Sequence, residues 1–293
     1  PATDAPSVQP VTEVPTQAPT EPPAQTGMMV DTCILKEADD KMLNTYTLLA
    51  VDPQAPFTDA DGNAVSDVAV NTAGADALIQ WFLSQEALDL AGNYGFEEYG
   101  EYLFYVKDGA PVYSGEIAHA TEETKVIRLS TTTSVKDSGL LGCLLPVFES
   151  AYGYTVEVQS AGTGKAISAA KFGNADLILV HAKSQEEAFV EDGFARVVEG
   201  FQSERVSFLY NYFVLCGPSA DPAGVKDADS VLDAFAAIAA GNIPLSPVVT
   251  VPAPTPRSCP CGRRRWASPR SLLPSPIIPS GMFLPMQAWA PAL

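Results

Sequence analysis

Val126-Ile127-Arg128-Leu129-Ser130-Thr131-Thr132-Thr133-Ser134 runs from a β-like apolar stretch into a cluster of hydroxyls, and Asp137-Ser138-Gly139-Leu140-Leu141 follows it. The apolar spacing from Leu140 to Phe148 predicts an amphipathic helix. Hydroxyls at a strand end, just ahead of a helix, suit an oxyanion: the helix start offers free N–H groups and a partial positive charge, and the hydroxyls add donors. The same residues also serve as ordinary helix caps, so this stretch alone leaves both readings open.

The segments downstream repeat the pattern. Tyr154-Thr155-Val156-Glu157-Val158 alternates as a half-buried strand does, Gly162-Thr163-Gly164-Lys165-Ala166 follows it, and Ile167 to Phe172 reads as a short helix. Ala175 to Val180 reads as a buried strand ending at His181-Ala182, with a helix expected from Ser184 to Val190. Three successive strand ends thus carry small, hydroxyl or donor residues ahead of a helix. In open α/β sheets ligands bind at the carboxyl ends of strands.

The segments STTTSVKDSGLL, SAGTGKA, ADLILVHAKSQEEAFVEDGFA and YNYFVLCGPSADPAGVK, taken together, resemble the tungstate-type substrate-binding proteins of ABC transporters. The resemblance runs from about Val126 to Pro244. It implies an α/β fold of the two-lobed periplasmic-binding-protein type (type II), incomplete here, that closes around its ligand. It implies an extracytoplasmic receptor, not an enzyme, that binds a tetrahedral oxyanion, tungstate or molybdate, and docks on an ABC transporter permease subunit. A phosphate- or sulfate-type receptor is the alternative anion specificity. The expected ligand-binding residues are Thr132, Thr133 and Ser134 on the first strand end, Thr163 and Gly164 on the second, and His181 and Ala182 beside the third. No cofactor and no metal are expected.

Composition bounds the partners. A net charge of −18 argues against nucleic acid, whereas N–H donors still capture an anion at short range. No apolar run reaches the length of a membrane span. Residues 1–27, rich in Pro and Thr, read as a disordered tether of the kind that follows the lipidated cysteine of bacterial surface lipoproteins. Membrane contact is therefore expected only through such an anchor. Five cysteines at scattered spacings give neither a disulfide framework nor a metal pair, and Cys33, Cys143 and Cys216 read as small buried apolar residues. Asp59-Ala60-Asp61-Gly62-Asn63 has its glycine too early for a calcium loop and reads as a polar turn.

Residues 28–118 resemble the closing segment of the same family, whereas residues 119–244 resemble its opening segment. In the first, Leu43 to Val51 reads as a strand and Asn71 to Leu83 as an amphipathic helix with Asn71 or Thr72 as its cap. Ser84 to Tyr94 reads as a second helix, leading into Leu103-Phe104-Tyr105. The closing part therefore precedes the opening part, as in a truncated tandem or a rearranged gene.

Residues 245–293 break the pattern: they hold no Asp, Glu or Lys, but five Arg and eleven Pro. Reading each true codon as the last base of one residue plus the first two of the next, Ser246 to Gly262 permits Ser-Arg-Gly-Asp-(Gly or Ser)-Ser-Gly-Thr-His and a helix-like continuation. The resembled family has Ser-Arg-Gly-Asp-Asp-Ser-Gly-Thr-His there. The tail thus reads as out of frame after loss of one nucleotide near Pro244, and with it an Arg and a Thr that the family brings from the far side of the cleft. A defective fragment without binding activity is the corresponding alternative function. Catalysis has little support: Ser134 lies in no Gly-x-Ser-x-Gly elbow, and Gly-Thr-Gly-Lys is not at Walker spacing.

Overall fold

A computed structural model describes residues 32–37 and 39–244. The tether at 1–27, the out-of-frame reading of 245–293 and the cysteines at 259 and 261 lie outside the described residues.

In chain order the elements are β1 (Thr32–Lys36), β2 (Leu43–Val51), α1 (Thr72–Phe82), α2 (Gln85–Gly92), α3 (Phe96–Tyr99) and β3 (Tyr105–Val106), then β4 (Val126–Thr132), α4 (Thr133–Asp137) and α5 (Leu140–Tyr152). After these come β5 (Thr155–Ala161), α6 (Thr163–Lys171), β6 (Leu177–Val180), α7 (Lys183–Glu191), β7 (Ala195–Arg196), β8 (Val206–Tyr212), β9 (Leu215–Pro218) and α8 (Val231–Ala240). The fold is mixed α/β. The main sheet has the order β3-β8-β2-β6-β4-β5, with β7 paired to β2. β4, β5 and β6 are parallel, and β2 is antiparallel to both β6 and β8.

Strand alternation sorts the core into two layers. Leu48, Leu129, Leu177 and Leu179 face one cluster, roofed by Leu78, Trp81 and Phe82 of α1 and by Leu144 and Phe148 of α5. Leu49, Val51, Ile178 and Val180 face the other, covered by Ala166, Ile167 and Ala170 of α6 and by Phe189 of α7. β6 is buried on both faces, which is why its sequence, LILV, is continuously apolar.

The strands before and after residue 118 interleave in this one sheet. β2 lies between β6 and β8, with Thr47 opposite Val180 and Asn44 opposite Asn211. An aromatic contact chain crosses the same divide: Trp81 meets Phe148 at 5.5 Å, Phe82 meets Phe208 at 5.9 Å, and Phe148 stacks on Tyr154 at 5.2 Å. Polar staples repeat it. Arg128 Nη2 donates to Asp176 Oδ1 (2.6 Å) and to the Ala69 carbonyl, and Asp176 also accepts from the Asn71 and Arg128 backbone N–H groups. Arg196 similarly holds Asp76 (2.5 Å) and the Thr72 carbonyl.

A smaller unit stands beyond the main sheet: β1 pairs with β9, and Ala234 and Ile238 of α8 cluster with Val225, against which Leu35 of β1 and Leu215 of β9 pack. Two chain crossings join the units, β1 to β2 and β8 to β9. They are tied at the crossing by Phe213 N–H donating to the Met42 carbonyl at 2.8 Å.

Most element bounds follow the sequence reading. β2 spans the predicted Leu43 to Val51, and Asn71 caps α1 by accepting from Gly74 N–H at 2.9 Å. α6 starts four residues earlier than its apolar pattern, because Gly162 takes the extended N-cap geometry and the Gly-Thr-Gly-Lys run enters the first turn. All three cysteines read as plain buried thiols depart from that reading: Cys143 is disulfide-bonded, and Cys33 and Cys216 are free but only half-buried, because they lie on the small two-stranded β1–β9 sheet rather than in the main core.

Candidate functional site

The parallel strands β5, β4 and β6 lie side by side, so Ala161, Thr132 and Val180 end on the same edge of the sheet. Each end leads into a helix: β4 into α4, β5 through Gly162 into α6, and β6 through His181 and Ala182 into α7. Neither Gly162 nor Ala182 caps its helix with a side chain, so the leading N–H groups of α6 and α7 are not taken up by a cap, although Gln185 N–H donates to the Ala182 carbonyl at 2.9 Å. Gly139, at φ +80°, lets the chain turn from α4 into α5, and its left-handed backbone favours glycine there.

The hydroxyls of the STTTS run divide by role. Ser130 Oγ donates to the Ala166 carbonyl at 2.9 Å and Thr131 Oγ1 to the Leu179 carbonyl at 2.7 Å; both are buried and hold β4 to its neighbours. Thr132 ends the strand and caps α4, its Oγ1 accepting from Val135 N–H at 3.3 Å. Thr132 Oγ1 and Ser134 Oγ are 3.0 Å apart, Ser134 Oγ is 3.0 Å from His181 Nε2, and His181 Nε2 is 3.2 Å from Thr132 Oγ1. These three groups close a triangle spanning two strand ends.

The other expected residues surround it. Thr133 is exposed in the first turn of α4, Thr163 half-buried at the start of α6 and Gly164 exposed beside it. A Cβ at Gly164 would stand 3.8 Å from Gln185 Oε1, so the first turns of α6 and α7 approach each other. Ala182 is the N-cap of α7. Among the seven, Thr132, Ser134 and His181 are joined by direct hydrogen bonds.

Burial lowers the His181 pKa from 6.5 to about 4, so the imidazole is neutral at physiological pH. The triangle is therefore a set of neutral dipoles. Its protons are shared among two hydroxyls and one ring nitrogen, and they can be redirected toward an incoming acceptor.

Two features escaped the sequence reading. One is the His181–Ser134 contact itself: His181 was expected beside the third strand end, but without a partner on the first. The other is Tyr46 of β2, whose ring centroid lies 5.4 Å from that of His181. The alternation of Asn44-Thr45-Tyr46-Thr47 signals a strand, but nothing local tells which strand it joins.

Residues 118–278, more than half of the chain, match the family described as the PBP superfamily domain. Over 112 residues the chain is 43% identical to the tungstate-binding protein TupA of Peptoclostridium acidaminophilum, covering 38% of this chain and 36% of that protein. It is 33% identical over 82 residues to the tungstate-binding protein TupA of Campylobacter jejuni, covering 28% of each. Among solved structures it is similar to the tungstate ABC transporter from Geobacter sulfurreducens, at 38% identity over 40% of this chain and 48% of that one, with a TM-score of 0.35. The chain spans about a third of the length of these curated relatives. On the family match, the chain belongs to the PBP superfamily domain family.

Proposed function

We propose that this chain forms one wall of a binding site for a tetrahedral oxyanion, with tungstate (or molybdate) preferred, in the extracytoplasmic receptor of an ABC importer. The observation that carries the reading is the Thr132–Ser134–His181 triangle at the ends of adjoining parallel strands. The names of relatives at 43% and 33% identity support tungstate over sulfate or phosphate.

In this reading Thr132, Thr133 and Ser134 donate hydroxyl and first-turn N–H bonds to the anion from one strand end. Thr163 and Gly164 donate from the next, and His181 and Ala182 border the third. The anion's charge is met by oriented N–H and O–H dipoles at the strand ends, which act at short range. A permease subunit would be the docking partner of the loaded receptor. Among the described residues no helix is long and apolar enough to cross a membrane.

A second reading has its own observation: Ser134 Oγ and His181 Nε2 stand at the 3.0 Å distance of a nucleophile and its base. An imidazole held at about 4 is a weak base at neutral pH. No carboxylate bonds its ring among the described residues. The binding role fits these groups better.

Titration calorimetry with tungstate, molybdate, sulfate and phosphate tests the proposal. Tungstate should give saturable heat, and Ser134→Ala should weaken it by about five- to tenfold, the worth of one hydrogen bond. No heat from any of the four anions, with this chain and with one carrying the restored tail frame, would overturn the anion reading. Heat only with the restored frame would make the present chain a defective fragment of such a receptor.

A further inference from the structure

A buried polar cluster lies beside the site, on strands that the proposed anion contacts do not use. Asn44 and Tyr46 of β2 and Asn211 of β8 are 2%, 3% and 7% exposed. Asn44 Nδ2 donates to Tyr46 Oη and to Asn211 Oδ1, each at 3.0 Å, and Tyr46 Oη donates to Asn211 Oδ1 at 3.2 Å. Asn211 Nδ2 reaches the Leu103 carbonyl at 3.4 Å. Three polar side chains are costly to bury, and a cluster whose members satisfy one another is correspondingly rigid.

Its position gives that rigidity a use. Asn44 pairs with Asn211 across the β2–β8 ladder, at the end where both strands leave the main sheet for the β1–β9 unit. The Tyr46 hydroxyl is held by the two amides, and its ring is wedged between Phe104, edge-on at 5.2 Å, and His181, at 5.4 Å and 54°. The His181 ring is therefore bounded on one side by the Thr132 and Ser134 hydroxyls and on another by a tyrosine tethered at its hydroxyl by two amides.

We propose that Asn44, Tyr46 and Asn211 form a positioning network for anion binding: they fix the Tyr46 ring, which sets the His181 imidazole against Ser134 and Thr132. The network also couples the site to the two strands that cross to the smaller unit, since a shift between those strands must break the Asn44–Asn211 bond. It rests on the oxyanion reading for its purpose, but not for its first measurement.

Tyr46→Phe keeps the ring and removes the hydroxyl; Asn211→Leu removes the shared acceptor. Phe57→Leu, in the core on the opposite face of the sheet, serves as a control for general loosening. Two quantities are read: the side-chain nitrogen and carbon NMR signals of His181, which report tautomer and ring environment, and the calorimetric tungstate affinity. Tyr46→Phe and Asn211→Leu should both move the His181 signals and weaken tungstate about five- to tenfold, while Phe57→Leu leaves both readouts in place. Unmoved His181 signals in Tyr46→Phe would overturn the network, as would unchanged affinity with moved signals. If the unaltered chain binds no anion in either tail frame, the oxyanion reading falls by itself, and His181 signals moving in Tyr46→Phe but not in the control would still support the positioning.

Discussion

His181 sits between two hydroxyls and a tyrosine ring, where a charged imidazole is poorly solvated. Its pKa of about 4 in the folded chain lies below the ordinary 6.5, so between those values the unfolded chain binds the extra proton and the native state does not. Stability is therefore fully present above about pH 6.5 and is lost as pH falls toward 4. Between pH 7.5 and 5 this one residue should remove about 2 kcal/mol of unfolding free energy. His181→Gln keeps a polar group against Ser134 without titrating, and should flatten that part of the curve. Urea unfolding of both proteins at the two pH values reads the difference. An equal pH slope in the two would show that His181 is not the buried neutral group described. This residue also marks where sequence stops informing. The donor-rich character of the three strand ends was visible in STTTS and GTG, but which hydroxyl meets which nitrogen depends on the stagger of β4 against β6, and no local pattern encodes it.

At the scale of elements, α1 is docked by chemistry as much as by its apolar face. Asn71 caps the helix with Oδ1 and, with Nδ2, donates to the Thr124 and Val126 carbonyls at 2.7 Å each. The Asp176 carboxylate beneath is fully buried and takes Arg128 as its cation. Arg128→Ala would leave that charge with backbone donors only, and should cost about 3 kcal/mol in chemical denaturation, the usual scale for breaking a buried pair from one side. Arg128→Lys should recover little of it, because one ammonium cannot reach Asp176, the Gly173 carbonyl and the Ala69 carbonyl together. Full stability in Arg128→Ala would mean that packing alone seats the helix. Helices and strands with strong periodicity were legible here: β2, α1, α2, β4, α5, β5, β6 and α7 stand close to where apolar spacing puts them, whereas α6 begins four residues early and the single turn of α4 was not read. β1, β8, β9 and α8 were not read as elements. β1 and β9 are short and, among the described residues, pair only with each other, and α8 is nearly all apolar or Ala, so its periodicity is faint.

For the molecule as a whole, the order of the segments matters less than the sheet they share. Residues 28–118 and 119–244 read as two separate resemblances, closing before opening, and pairing between residues some 160 apart leaves no trace in either. Yet β2 is hydrogen-bonded on both sides by strands from beyond residue 118, α1 and α5 share one aromatic cluster, and Arg128 and Arg196 each grip residues from before it. The covalent link between the halves is by contrast exposed: Thr121, Glu122 and Glu123 form a solvent-facing turn. A protease site placed at Glu122–Glu123 should therefore be cut readily and leave the protein folded. The nicked chain should elute as one species in size-exclusion chromatography, melt within a few degrees of the intact chain, and separate into two fragments only in denaturant. A central strand with both neighbours on the other fragment cannot depart without exposing a row of unpaired backbone groups and the apolar faces on either side of the sheet. Fragments that drift apart in native buffer would show instead that residues 28–118 seek their partner strands in another copy of the opening segment, as a tandem of such domains would supply.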